Sequence, residues 1–138
     1  MNVEVFALCR SIKQAENSVD IIGIFNRLSS SAVPTGINDC SIALRINFTP
    51  DKDSAGVHKI NISLKDDRGN TVEALSDSIT VDYEEYSGLV LDLSYELTKI
   101  GLPRFGEYTF NLSVDDKHTC SIPLHLIPSK PFGFAPFR

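Results

Sequence analysis

The chain lacks tryptophan, and its three cysteines, Cys9, Cys40 and Cys120, are odd in number and far apart. The absence of tryptophan excludes the buried tryptophan of an antibody-type domain. No Cys-x-x-Cys pair is present, so we predict three reduced thiols, which are typical of a cytoplasmic protein. No segment approaches the roughly 20 apolar residues that a membrane helix requires. The first residues have no basic and apolar leader, which predicts a cytoplasmic chain without a signal peptide.

Positive charge is also scarce. The chain has 13 Lys and Arg against 18 Asp and Glu, a net charge of −5. Because phosphate groups are bound by clustered Lys and Arg, this balance argues against a nucleic-acid partner or an anionic membrane surface. With 138 residues, of which 42% are hydrophobic, the chain is large enough for one domain with one core.

Motifs for catalysis and metal binding are missing as well. The segment 51–56 begins like a calcium loop, but Ala55 and Ile62 stand where ligands are needed. His118 and Cys120 are two residues apart, on one face of a predicted strand, and no second pair completes a zinc site. No serine or cysteine occupies a nucleophile turn. We therefore predict no catalytic residue, no metal and no cofactor.

Alternation of apolar and polar residues dominates the chain from residue 39 onward. Such alternation is typical of strands with one buried face, and turn signals recur every 8–12 residues or so. The segment 66–70 reads as a hairpin loop in which Gly69 supplies a positive φ, and a bulge is predicted near residues 74–76. Pro123 cannot donate to a ladder, which predicts a sheet edge or a bulge there. The inward positions are predicted to include Cys40, Ile42, Leu44, Ile46, Phe48, Ile60, Ile62, Leu64, Cys120, Leu124 and Leu126.

The segment from Gly106 to Val114 specifies the architecture further. A turn ending in Gly106 leads into a strand on which Tyr108, Phe110 and Leu112 share a face. This is how immunoglobulin-like sandwiches enter strand F, where a tyrosine hydroxyl bonds back to the preceding corner. We predict an all-β, immunoglobulin-like antiparallel sandwich of about seven to nine strands, with a buried Tyr108 bonded to backbone within residues 102–105.

The N-terminal third differs because its two strands are apolar on both faces. Since a two-layer sandwich buries one face of each strand, the other face needs a cover. The prediction assigns Val3, Val5, Val19 and Ile21 to the core. The opposite face of the two strands is predicted to be a protein interface, and it contains Phe6, Leu8, Ile22 and Ile24.

The C-terminal segment 128–138 is a second candidate for this cover. Its prolines and glycine exclude a helix, whereas Phe132, Phe134 and Phe137 are strongly apolar. It is either a loose chain end or an arm that packs on the N-terminal hairpin or on a neighbouring protomer.

Several of these features together resemble a known group. They are the segment 21–25 (Ile-Ile-Gly-Ile-Phe), the following Pro34, the alternating middle strands and the Gly106-x-Tyr108-x-Phe110 strand. The chain resembles short, stand-alone bacterial proteins of unknown function with an immunoglobulin-like sandwich. The resemblance covers residues 1–127 as one domain and leaves 128–138 as a tail. The sequence differs from antibody-type domains at Phe110, where strand F of such a domain would carry a cysteine.

The resemblance implies a fold and no assigned activity, and a fold alone does not identify a function. We expect a non-catalytic protein-binding or assembly module, acting on an unknown protein or as a homo-oligomer. The alternatives are an enzyme or small-ligand carrier with a pocket between the sheets, and an extracellular adhesion-type domain, which the missing signal peptide disfavours. A pocket with convergent polar groups would favour a carrier, and a flat apolar patch would favour a binding module.

Overall fold

The computed structural model describes residues 1–16, 18–84 and 88–129, and these form an all-β protein. No helix in these ranges is long and apolar enough to cross a membrane. The strands are β1 (Asn2–Ala15), β2 (Ser18–Ile24), β3 (Arg27–Ser30), β4 (Thr35–Ile37), β5 (Cys40–Phe48), β6 (Gly56–Lys65), β7 (Thr71–Val81), β8 (Leu89–Leu97), β9 (Ile100–Leu102), β10 (Gly106–Val114) and β11 (Lys117–Pro128).

The described residues contain eleven strands, so the predicted count was wrong. Strands β3, β4 and β9 have only three or four residues each, which is too short for an alternation pattern to be recognised. The pairing is also not purely antiparallel, because β3 runs parallel to β11.

Two larger sheets account for most of the fold. One has four strands in the order β2-β1-β5-β8, the other has five in the order β3-β11-β10-β6-β7, and β4 and β9 form a separate pair. Inward side chains of both larger sheets belong to one hydrophobic core. The alternation of the middle strands predicted this core correctly: the buried residues include Cys40, Ile42, Leu44, Ile46, Phe48, Ile60, Ile62, Leu64, Leu124 and Leu126.

The corner before β10 has the predicted tyrosine geometry. Tyr108 is buried, and its hydroxyl donates to the Arg104 carbonyl oxygen at 2.6 Å and accepts from the Arg104 N–H at 3.1 Å. Gly106, at the start of the strand, has a φ of 137°, a conformation that side chains disfavour.

The Arg104 side chain connects the tyrosine corner to the turn between β6 and β7. Its guanidinium donates to Asp66 Oδ2 at 2.9 Å, and Asp66 also accepts from the backbone N–H groups of Arg68 and Asn70. Burial would raise the pKa of Asp66, but these hydrogen bonds lower it. In the same turn Gly69 has the predicted positive φ, at 83°. One network therefore holds two turns together at this end of the fold.

The predicted bulge in β7 lies elsewhere. The register between β6 and β7 is continuous from Val81 to Glu73 and shifts only between Glu73 and Thr71. The parity change that the apolar pattern indicates is therefore at Val72, closer to the turn than residues 74–76.

Candidate functional site

The predicted outward face of the N-terminal hairpin is only half correct. Leu8 is 1% exposed and belongs to the core, and Phe6 is half-buried against the same core. The prediction that these two side chains lie on the outward face was wrong, because the register of β1 on β5 shifts between Val3 and Val5. This bulge reverses the parity of the following residues, so Phe6 and Leu8 point inward and Val5 points outward.

Ile22 and Ile24, in contrast, are 43% and 65% exposed. They lie on β2, which is an end strand of the four-stranded sheet. The remaining interface candidates, Phe132, Phe134 and Phe137, lie outside the described residues. An exposed pair of isoleucines on an edge strand is therefore what the structure retains of the predicted interface.

The assignment of Val19 and Ile21 to the core was wrong, because both are only half-buried and lie outside the core cluster. Their face of the hairpin contributes instead to covering the outer side of the sheet. Ile12, Val19 and Ile21 line a narrow crevice together with Val5, Ala43 and Arg45. Arg45 lies between two carboxylates, with its Nε 3.5 Å from both Glu4 Oε1 and Asp92 Oδ1. The expected cover is thus provided in part by the hairpin itself, through Ile12, which the alternation pattern did not single out.

A groove opens between the two large sheets along β1 and β11. It has a volume of about 350 Å³ and is lined by Met1, Asn2, Val3, Phe6, Thr119, Cys120 and Ile122. Val3, Phe6, Cys120 and Ile122 pack against the core and are only half-buried. The wall of the groove therefore combines these apolar side chains with polar groups, among them Asn2 and Thr119.

Both strands that border this groove have an open edge there. β2 pairs with β1 only from Cys9 onward, and β3 pairs with β11 only from His125 onward. In the described part of the chain, no strand bonds to residues 2–7 on the side away from β5, or to residues 117–124 on the side away from β10. The predicted edge at Pro123 is confirmed, since this proline lies within the second stretch.

A polar pocket of about 300 Å³ lies at the Cys40 end of the four-stranded sheet. Its lining residues are Arg10, Ser11, Ile12, Asp39, Cys40, Ser41, Ser94, Glu96, Leu97 and Thr98. The Arg10 guanidinium stacks 4.1 Å above the Phe25 ring. Burial raises the pKa of the Cys40 thiol, so this thiol stays protonated and is a poor nucleophile.

Among the described residues, the buried His58 and Asp115 form an arrangement that resembles a catalytic acid–base pair. His58 Nδ1 lies 2.6 Å from Asp115 Oδ2, and Nε2 lies 2.7 Å from the Ser54 carbonyl oxygen. The hydrogen bond to Ser54, followed by that to Asp115, raises the pKa of His58. Both ring nitrogens face acceptors, so the ring is held as an imidazolium that connects three segments of the chain. Neither nitrogen is free to take a proton from a substrate, and the pair is structural.

Sequence reasoning missed this pair because its partners are far apart in the chain. Asp115 has a φ of 50° in the turn between β10 and β11, and it also accepts from the Lys59 N–H at 2.9 Å. The sequence indicated only a polar turn there, and no local pattern connects it to His58.

The predicted shared face of His118 and Cys120 was wrong. A register shift between Leu112 and Ser113 accommodates an extra residue in β11. His118 bonds to the Ser121 hydroxyl at 2.8 Å on the outer face, whereas Cys120 packs against the core. Within the described ranges, no group of three or more His, Cys, Asp or Glu side chains is arranged to hold a metal ion.

Comparison with known proteins gives a family and no activity. A search of curated proteins finds no match to this chain. A family model does match, over residues 4–127, which is nearly all of the described β-structure. The chain therefore belongs to the family of unknown function DUF6941.

Proposed function

We propose that this chain is a bacterial, cytoplasmic, immunoglobulin-like β-sandwich that acts as a non-catalytic protein-binding or assembly module. The two sheets around one core and the Tyr108 corner support the sandwich. The fully buried thiols of Cys9 and Cys40, in a chain with an odd number of cysteines, support a reducing compartment. The bacterial origin rests on the sequence resemblance.

The observation that carries the binding role is the exposed apolar edge of β2. Ile22 and Ile24 present much of their side chains to solvent. Fully burying such a side chain contributes about 1.5–3 kcal/mol, and an edge strand also offers unpaired backbone groups to a partner. A partner that covers β2 gains from both sources.

The test compares the wild type with a double variant, Ile22→Ser plus Ile24→Ser. We expect this variant to lose the binding of a protein partner, or the self-association, that the wild type shows. The melting temperatures of the two proteins should be the same. Val57→Ser is the matched control, because Val57 is 71% exposed and lies on β6, in the other sheet. Sedimentation velocity and quantitative affinity capture provide the readouts. Equal behaviour of all three proteins would contradict the proposal.

A small-ligand carrier is the second candidate, and the polar pocket beside Arg10 favours it. Its volume falls at the lower end of the range for ligand sites, and its lining combines Arg10 with Asp39 and Glu96. If this pocket binds a small polar ligand, an amino acid or another zwitterion in a thermal-shift screen will raise the melting temperature of the wild type but not that of the Arg10→Ser variant.

A further inference from the structure

We propose that the groove between β1 and β11 is the binding site for the C-terminal tail, residues 130–138, of a second copy of this chain. This proposal rests on the assembly role proposed above, but it uses a different surface from Ile22 and Ile24. In the bound state an extended segment lies along the groove, pairs with an open strand edge and places phenylalanine side chains on the apolar side chains of the wall.

The groove has the two features that an added strand needs. Along the groove, residues 2–7 and 117–124 have an outer edge that pairs with no strand among residues 1–16, 18–84 and 88–129. Such an edge binds an extended segment through main-chain hydrogen bonds. Between these edges lie the half-buried side chains of Val3, Phe6 and Ile122. An incoming aromatic side chain completes a core that is left open on this side.

The tail has the matching chemistry. It contains Phe132, Phe134 and Phe137, and its only charged side chains are Lys130 and Arg138, whereas the whole chain has a net charge of −5. Its prolines favour an extended backbone. The tail is thus an apolar segment with a basic residue at each end.

The length of the tail favours binding to the groove of a second copy over binding to the groove of its own copy. The Ser129 N–H bonds to the Ser30 carbonyl oxygen, at the end of β11 away from the groove. At about 3.3 Å per residue, Ser129 is roughly 30 Å from Cys120 along the strand. Nine residues span at most about 30 Å, so a copy's own tail would have to reverse, pass β3 and stay fully extended. A neighbour's tail enters without reversal, and mutual exchange closes a symmetric dimer.

Cys120 provides a reporter inside the groove. It is half-buried there, whereas Cys9 and Cys40 are fully buried. In the native protein we expect the Cys120 thiol to react with a chromogenic disulfide reagent at least tenfold more slowly in the full chain than in a chain ending at Ser129. The difference should grow with protein concentration. A synthetic peptide of residues 130–138 should restore protection to the shortened chain, and the same peptide with its three phenylalanines changed to serine should not.

A cross-link identifies which copy supplies the tail. We expect Phe137→Cys to form a disulfide with Cys120 under mild oxidation and to yield a covalent dimer, which Cys120→Ser abolishes. A disulfide within one chain, or equal Cys120 reactivity in the full and shortened chains, would overturn the proposal. The change of Ile22 and Ile24 to serine should leave the cross-link intact, so failure of the β2 surface and failure of the groove are distinguishable.

Discussion

Removal of the Tyr108 hydroxyl tests the corner that connects β9 to β10. In the Tyr108→Phe variant the Arg104 carbonyl oxygen and N–H both lose their partner, because the hydroxyl bonds to each of them. One hydrogen bond of this kind contributes about 1 kcal/mol, so we expect a loss of about 2 kcal/mol in the free energy of unfolding. With an unfolding entropy of about 2.1 cal/mol/K per residue, the melting temperature of this 138-residue chain should fall by about 7 °C.

The assay is thermal and urea unfolding followed by circular dichroism, with Tyr83→Phe as the matched control. Among the described residues, the half-buried Tyr83 hydroxyl makes one hydrogen bond, which it donates to the Asp53 carbonyl oxygen at 2.9 Å. The control should therefore lose clearly less stability than Tyr108→Phe. Equal losses, or a Tyr108→Phe variant as stable as the wild type, would refute the reasoning that two hydrogen bonds from Tyr108 to the Arg104 backbone stabilise the corner.

Three further predictions concern the core, the first residue of β10 and the buried histidine. Leu8→Ala should destabilise the protein by about 2–5 kcal/mol, whereas Ile24→Ala should change its stability by less than about 0.5 kcal/mol; urea unfolding that gives the reverse order would contradict the inward parity of Leu8. Gly106→Ala should cost about 1–2 kcal/mol in the same assay, because its φ is positive, and an unchanged midpoint would argue against that conformation. His58 has a raised pKa, so its stabilisation is complete below about pH 6.5 and is lost as pH rises through the raised value. Between pH 6 and pH 8, the His58→Gln variant should therefore lose less of its free energy of unfolding than the wild type does. This pH range lies below the raised pKa values of the cysteines. Equal losses in the two proteins would contradict a protonated His58.

Regular alternation explains which parts of the fold the sequence predicts well. β5 and β10 pair with neighbours on both sides, so each has one face fixed in the core and an uninterrupted period of two. In β1 and β11, single bulges change the parity, and a bulge is determined by pairing with a distant strand rather than by local composition. The same reason explains the misplaced Phe6, Leu8 and His118.

The candidate sites were predicted less completely than the core. The register of β2 with β1 is continuous, so the alternation pattern correctly separated Ile22 and Ile24 from Val19 and Ile21. It did not show that Val19 and Ile21 stay outside the core. The groove, by contrast, exists because two strands distant in the chain both extend beyond their partners. Such a relation between β1 and β11 depends on tertiary geometry and leaves no mark in either segment by itself.

Pro123 has a consequence for the behaviour of the protein at high concentration. Open strand edges tend to pair with one another indefinitely, which leads to fibrils and precipitates. Pro123, near one end of the open stretch 117–124 of β11, removes one donor, and the bulge near Val3 interrupts the neighbouring open stretch of β1. Neither edge can therefore continue a flat ladder with a copy of itself. If the proposed tail exchange takes place on this side, we therefore expect it to end at a closed complex and not to propagate as a polymer.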